Sequence, residues 1–263
     1  MDLGLQNTRV IVTAASQGLG AATARRFSLE GAKVVINSRN LEKLKATANR
    51  ISDESGNPVF AVAADVSQPD APAQIISDSV KMLGGLDILV LNAGGPPAGS
   101  FDDFNAEDWE KATQLTFLST VRLIQAALPH IRQSDQGALL AIQSMSVKQP
   151  VPNLTLSNAV RPAVIGLMKT LSLELGPEGI RANSILPGIT DTERVTNLMQ
   201  ARAEKNATTP ATERETAAAA IPLRRIGTPE EFANAAVFLC SPAAGFITGV
   251  ALPVDGGSIQ ATL

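Results

Sequence analysis

Tyrosine is absent from the 263 residues, so any mechanism that needs a phenol is excluded. One cysteine, Cys240, excludes an internal disulfide and a multi-cysteine zinc site, and one histidine, His130, argues against a histidine-built metal or triad site. No metal centre is expected. No apolar run reaches the roughly 18–20 residues of a membrane span. Met1-Asp2-Leu3-Gly4 has neither the basic start nor the apolar stretch of a signal peptide, so the expected location is cytoplasmic, with no membrane partner. A net charge of −3 lacks the clustered cations of a nucleic-acid binder. What remains, 44 % hydrophobic and 18 % charged residues, is an ordinary globular composition.

Short β-branched runs alternate with longer helical patterns. Val10 to Thr13, Lys33 to Ile36, Val59 to Ala63, Asp87 to Leu91, Ala138 to Ile142, Ile180 to Leu186 and Val250 to Val254 read as strands. Their nearly continuous apolar character suits a parallel sheet covered on both faces. Leu19 to Leu29, Leu41 to Ile51 and Pro72 to Leu83 have helical spacing and run up to glycines at positions 31, 56 and 84. The alternation predicts right-handed βαβ units and a doubly wound, Rossmann-like α/β fold. Seven mostly parallel strands in a single domain over 1–263 are expected, with helices on both faces. The polar, Ala/Thr-rich stretch 191–220 is expected to be a lid near the substrate site, with a solvated helix pair as the alternative.

Chemistry-bearing residues cluster where strands end. Thr13-Ala14-Ala15-Ser16-Gln17-Gly18-Leu19-Gly20 joins a strand to a helix, where glycines let backbone approach a pyrophosphate and the helix N-terminus offers free N–H groups. After the second strand, Ser38 and Arg39 stand where an acidic residue would select a ribose 2′-hydroxyl, and a guanidinium suits a 2′-phosphate. NADP is therefore expected in preference to NAD. Asp65-Val66 could accept from an adenine amino group. Asn92-Ala93-Gly94 and Pro187-Gly188-Ile189-Thr190 complete one crevice along the carboxyl ends of the strands. His130, Cys240 and Trp109 read as a solvated residue, a buried small hydrophobe and a core anchor. Glu230-Glu231 opens a helix whose dipole favours carboxylates.

In these motifs, together with Ile180-Arg181-Ala182-Asn183, Phe246-Ile247-Thr248-Gly249 and Val254-Asp255-Gly256-Gly257, the whole chain resembles the short-chain dehydrogenase/reductase family. Ala14 departs from the glycine usual there; a methyl is tolerable if its backbone angles are ordinary. The resemblance implies a Tyr-x-x-x-Lys pair on a helix, a serine thirteen residues before the tyrosine and an asparagine on the preceding long helix. Arg161-Pro162-Ala163-Val164-Ile165-Gly166-Leu167 matches the run that begins with the family lysine, which puts Arg161 in the lysine's place and Ser157 in the tyrosine's. Ser144 keeps the serine, and Thr116 takes the asparagine's place. Serine is far less acidic than a phenol, and Arg161 stays protonated at physiological pH, so the pair can polarise a group but cannot repeat the usual acid–base route. Pro162 implies either that the helix begins near Ser157 or Asn158, or that it bends there.

Three functions are compatible with these residues. One is an NADP-dependent oxidoreductase acting on a small carbonyl or hydroxyl compound through Ser144, Ser157, Arg161 and Thr116. Another is a catalytically silent NADP-binding sensor or scaffold. A third keeps the fold without the cofactor, as in relatives that became lyases or dehalogenases. The resemblance also implies a homotetramer or dimer, built on the long helices Thr113 to Ile131 and Leu156 to Leu175.

Overall fold

A computed structural model describes residues 1–262. Seven strands, β1 (Arg9–Val12), β2 (Lys33–Ser38), β3 (Val59–Ala63), β4 (Ile88–Leu91), β5 (Ala138–Ile142), β6 (Arg181–Pro187) and β7 (Ala251–Val254), form one sheet in the order β3-β2-β1-β4-β5-β6-β7. All six ladders are parallel, as the expected doubly wound sheet requires. The reversal of winding between β1 and β4 opens a crevice at the carboxyl edge.

Strand side chains alternate between two cores. Val10, Val12, Val34, Ile36, Leu140 and Ile142 face one, packed under Phe27 of α1 (Gly18–Leu29), Leu44 and Ile51 of α2 (Leu41–Ser55) and Phe232 of α9 (Pro229–Cys240). Ile11, Val35, Leu139 and Ala141 face the other. It is filled by Ile75 and Ile76 of α3 (Ala71–Leu83), Leu123 and Ile124 of α5 (Ser119–Ile131), and Val164 and Met168 of α6 (Thr155–Glu174). Both faces are thus covered, the physical reason these strands read as unbroken apolar runs.

The long helix before β5 is not uniform. α4 (Ala106–Thr113) passes through a π-helical turn, Gln114–Leu118, into α5. α6 begins at Thr155 and is continuous to Glu174, so of the two alternatives the late start, with Ser157 or Asn158 near the cap, is not the one observed. Pro162 removes one backbone donor within the helix, but its ring lies on the exposed face. Leu156, Val160, Val164 and Met168 are buried on the opposite side. The stretch 191–220 forms two packed helices, α7 (Glu193–Asn206) and α8 (Pro210–Ala220).

Candidate functional site

The turn after β1 is fastened to the turn after β4. Thr13 Oγ1 donates to the Asn92 carbonyl at 2.7 Å and accepts from the Asn92 N–H at 2.8 Å. Asn92 Nδ2 donates to the Ala14 carbonyl at 3.2 Å. A Cβ on Gly20 would lie 2.6 Å from that carbonyl and 2.9 Å from Nδ2, so glycine is required there by the protein's own packing. Ala14 has φ of 47°, in the left-handed region, so the condition on which its methyl would be tolerated is not met. A methyl in that region costs about 1–2 kcal/mol, strain stored beside the crevice.

α1 starts with its first N–H groups unclaimed. Its N-cap, Gln17, makes no side-chain cap, and no acidic residue stands in the first turn from Gly18 through Leu19. Such an end suits an anion. Beside it, Ser16 Oγ and Ser38 Oγ are 3.0 Å apart at the ends of β1 and β2. The Arg39 guanidinium is 77 % exposed and lies 3.8 Å from Asp65 Oδ2. Asp65 is held by Ser67, whose N–H and hydroxyl donate to Oδ1 at 3.0 and 2.8 Å, while Val66 is buried beneath. Ala93 is half-buried, and Gly94 has open space where a Cβ would stand. Gly188 is pressed against Asp255, its N–H donating to the Val254 carbonyl, and Thr190 is buried beside it. Uncapped N–H groups for a pyrophosphate, and hydroxyls with a guanidinium for a 2′-phosphate, fit the donor set that NADP requires.

The other half of the crevice lies beyond β4. Ser144 caps a short 3-10 turn, Met145–Val147, and its Oγ accepts from the Ser146 N–H at 3.2 Å. Ser157 and Arg161, one helical turn apart, share the buried face of α6. Arg161 is 7 % exposed, and its Nη1 donates to Gln143 Oε1 at 3.3 Å. Among the described residues no carboxylate pairs with it. Burial, followed by the charge of Arg194, pulls the guanidinium down to about 10, still a cation at neutral pH. Thr116 is buried within the π-helical turn, which packs against α6, and its Oγ1 has no hydrogen-bond partner. A π-helical turn is a frequent mark of a functional position. The four expected residues therefore stand on adjoining elements, with no hydrogen bond joining Ser144 to Ser157 among the described residues.

Three participants escaped sequence reasoning. Gln143, next to Ser144, is the side-chain partner of Arg161. Thr192, the N-cap of α7, brings its methyl within 3.6 Å of where a Gly18 Cβ would stand. Arg194 lies so close over Gly95 that any side chain there would collide with its guanidinium. The first turn of α7 thus spans the crevice. His130, half-buried at the end of α5, and Cys240, whose thiol burial pushes up to about 12, take no part.

A doubly wound parallel sheet with an uncapped helix end and a buried cation along one crevice defines a nucleotide-binding α/β protein. A family profile described as Enoyl-(Acyl carrier protein) reductase matches residues 13–258. The chain belongs to the short-chain dehydrogenase/reductase family. It is 33 % identical over 255 residues to "Dehydrogenase/reductase SDR family member 4" of Sus scrofa, covering 97 % of this chain and 88 % of that one. L-Sorbose reductase from Gluconobacter frateurii, solved with NADPH and L-sorbose, superposes with a TM-score of 0.95 at 30 % identity, covering 99 % of this chain and all 100 % of that one. An apo short-chain oxidoreductase from Pseudomonas aeruginosa PAO1, described as containing an atypical catalytic center, gives 0.91 at 30 % identity over 98 % of this chain and 100 % of its own.

Proposed function

We propose that the chain is a cytoplasmic NADP(H)-dependent oxidoreductase that reduces a small carbonyl compound, or oxidises the matching alcohol, with hydroxyls and a permanent cation where its family uses a phenol and an amine. The observation that carries this reading is the acceptor-poor donor array of α1, Ser16, Ser38 and Arg39, beside a second set of donors on β5 and α6. Thr13, Gln17, Gly18, Leu19 and Gly20 would carry the pyrophosphate, with Asn92, Ala93, Gly94, Pro187, Gly188 and Thr190 lining the nicotinamide side and Asp65 and Val66 the adenine side. NADPH would supply a hydride to the carbonyl carbon, becoming NADP+, and the proton for the oxygen would be drawn from water. Ser144 Oγ and Ser157 Oγ donate to the developing alkoxide, and Arg161 stabilises its charge; losing one such donor typically costs about 10²–10³ in rate. Thr116 would hold the water through its free Oγ1. α7 and α8 act as the lid, with α7 already across the crevice.

The chain is also read as a homo-oligomer, a tetramer or dimer. Ala159, Pro162, Ala163, Gly166, Thr170 and Leu173 make an exposed strip of mostly small or apolar residues along α6, suited to a second helix. The runner-up, a silent NADP-binding sensor or scaffold, draws on the lack of any group that could donate a proton directly near neutral pH. Calorimetric titration with NADPH and NADH, followed by turnover over a panel of carbonyl compounds, separates the two. The oxidoreductase reading expects tighter binding of NADPH, its oxidation by some member of the panel, and a fall in rate of at least tenfold in Arg161→Ala. Binding without turnover favours the sensor, and no nucleotide binding removes both.

A further inference from the structure

Arg161 is a cation that no carboxylate among the described residues neutralises. A guanidinium has five N–H donors, and one of them reaches a side-chain amide oxygen at 3.3 Å. Taking a charge out of water is costly unless an opposite charge meets it. A second cation, Arg194 of α7, lies over the same crevice: its guanidinium rests against Gly95, in the turn after β4, and β4 pairs with β5, beyond whose end Gln143 meets Arg161. Two like charges at one crevice, one of them buried, describe a site completed by an anion.

The cofactor's own phosphates are poorly placed to be that anion. The pyrophosphate belongs at the start of α1, behind β1, and the 2′-phosphate at Ser16, Ser38 and Arg39, beyond β2. Arg161 meets Gln143 at the end of β5. With strands about 4.8 Å apart in the order β2-β1-β4-β5, that is roughly 10 Å from the first and 14 Å from the second. A nicotinamide ribose offers neutral hydroxyls, which cannot cancel a charge.

The geometry points to a two-arginine clamp, Arg161 from α6 and Arg194 from α7, that holds a carboxylate of the substrate, so that the substrate is an oxo acid or its hydroxy acid. The clamp presupposes the carbonyl chemistry proposed above. Arg161 would fix the anion from the buried side through a forked contact, and Arg194 would close over it as α7 settles on the crevice. Neutral carbonyl compounds would leave Arg161 uncompensated and bind weakly.

The test uses protein saturated with NADP+, in which an oxo acid cannot be reduced and binding is read without turnover. Pyruvate, acetoacetate and levulinate are each titrated against their methyl esters, with inorganic phosphate as a second type of anion. At least one acid is expected to bind 30-fold or more tightly than its ester. Arg194→Gln, at an exposed position, should weaken that acid at least tenfold and leave the ester unchanged, and Arg161→Gln should abolish the preference. Parity between acids and esters, an Arg194→Gln protein with undiminished acid affinity, or no binding of any acid overturns the clamp. Phosphate bound more tightly than every acid overturns the carboxylate assignment. The same titration without nucleotide keeps the two proposals apart: acids that bind while NADP+ does not would remove the redox reading, and the oxo-acid assignment with it, while the two arginines would still form a carboxylate site.

Discussion

Two arginines, Arg161 buried and Arg181 half-buried, sit at opposite edges of the sheet. Arg181 opens β6 at the amino edge, and its guanidinium donates to the carbonyls of Leu239, Cys240, Ser241 and Ile247. These include carbonyls at the end of α9, which a helix leaves without internal partners. Arg161, at the carboxyl edge, meets one amide oxygen. Burial lowers both guanidinium pKa values, but only Arg181 is surrounded by acceptors that the fold supplies. The same contrast runs along both edges. At the amino edge Asp87 takes a forked contact from Arg9 and a hydroxyl from Ser134. At the carboxyl edge lie the unpartnered oxygens of Thr116 and Ser146, the uncapped start of α1 and the strained Ala14. Satisfied polar groups lock an architecture, whereas unsatisfied ones at a crevice await a ligand.

The largest expected effect breaks or keeps that contrast directly. Arg181→Met should orphan four carbonyl contacts and cost about 3–5 kcal/mol. At roughly 2–4 °C per kcal/mol, Tm should fall by about 6–20 °C in a calorimetric melt. Arg161→Met should instead raise Tm by about 2–8 °C, because an uncompensated buried charge is removed. If both substitutions destabilise alike, the contrast is wrong.

Asp87→Asn should cost about 2–3 kcal/mol at pH 7 by denaturant unfolding, with the sign set by linkage. Burial opposes ionisation of Asp87, yet hydrogen bonds from Arg9 and Ser134 hold its carboxyl below the ordinary value of 3.8. Its contribution is therefore fully present above 3.8, and the gap between wild type and variant should close as pH falls through the lowered native value. At the carboxyl edge, Arg39→Ala should weaken NADPH roughly tenfold and leave NADH unchanged in a fluorescence titration, the loss of one exposed guanidinium contact to phosphate. Smallest, Ala14→Gly should stabilise by about 0.5–1 kcal/mol in urea unfolding, as relief of the left-handed methyl outweighs the greater freedom of the unfolded chain.

Much of this was legible in the residues. Strand positions fell within one or two residues of the observed bounds because parallel strands covered on both faces are mostly unbroken apolar runs. Ser144, Ser157 and Arg161 were singled out by the family resemblance, through the run Arg161 to Leu167 and the offsets counted back from it. Pro162 misled in one respect. Its local cost argued for a late start or a bend, while Leu156, Val160, Val164 and Met168, packed on the opposite face, keep α6 continuous through it. The π-helical turn at Thr116 had no forewarning, since nothing in Gln114-Leu115-Thr116-Phe117-Leu118 distinguishes it from an ordinary helical turn. Arg194 lies 33 positions beyond Arg161 in a polar stretch without strand or motif, so no pattern could tie the two together.

By itself the sequence determined the layered α/β sheet, the line of strand ends where a nucleotide belongs, and the absence of a phenol, because each depends on residue type and short-range periodicity. Only the tertiary structure decided that Arg161 is buried without a counter-charge among the described residues, that Arg194 lies over the same crevice, and that Ala14 is strained. Those are properties of which groups meet across distant segments, and a charge's partners are fixed by the packing of the whole chain.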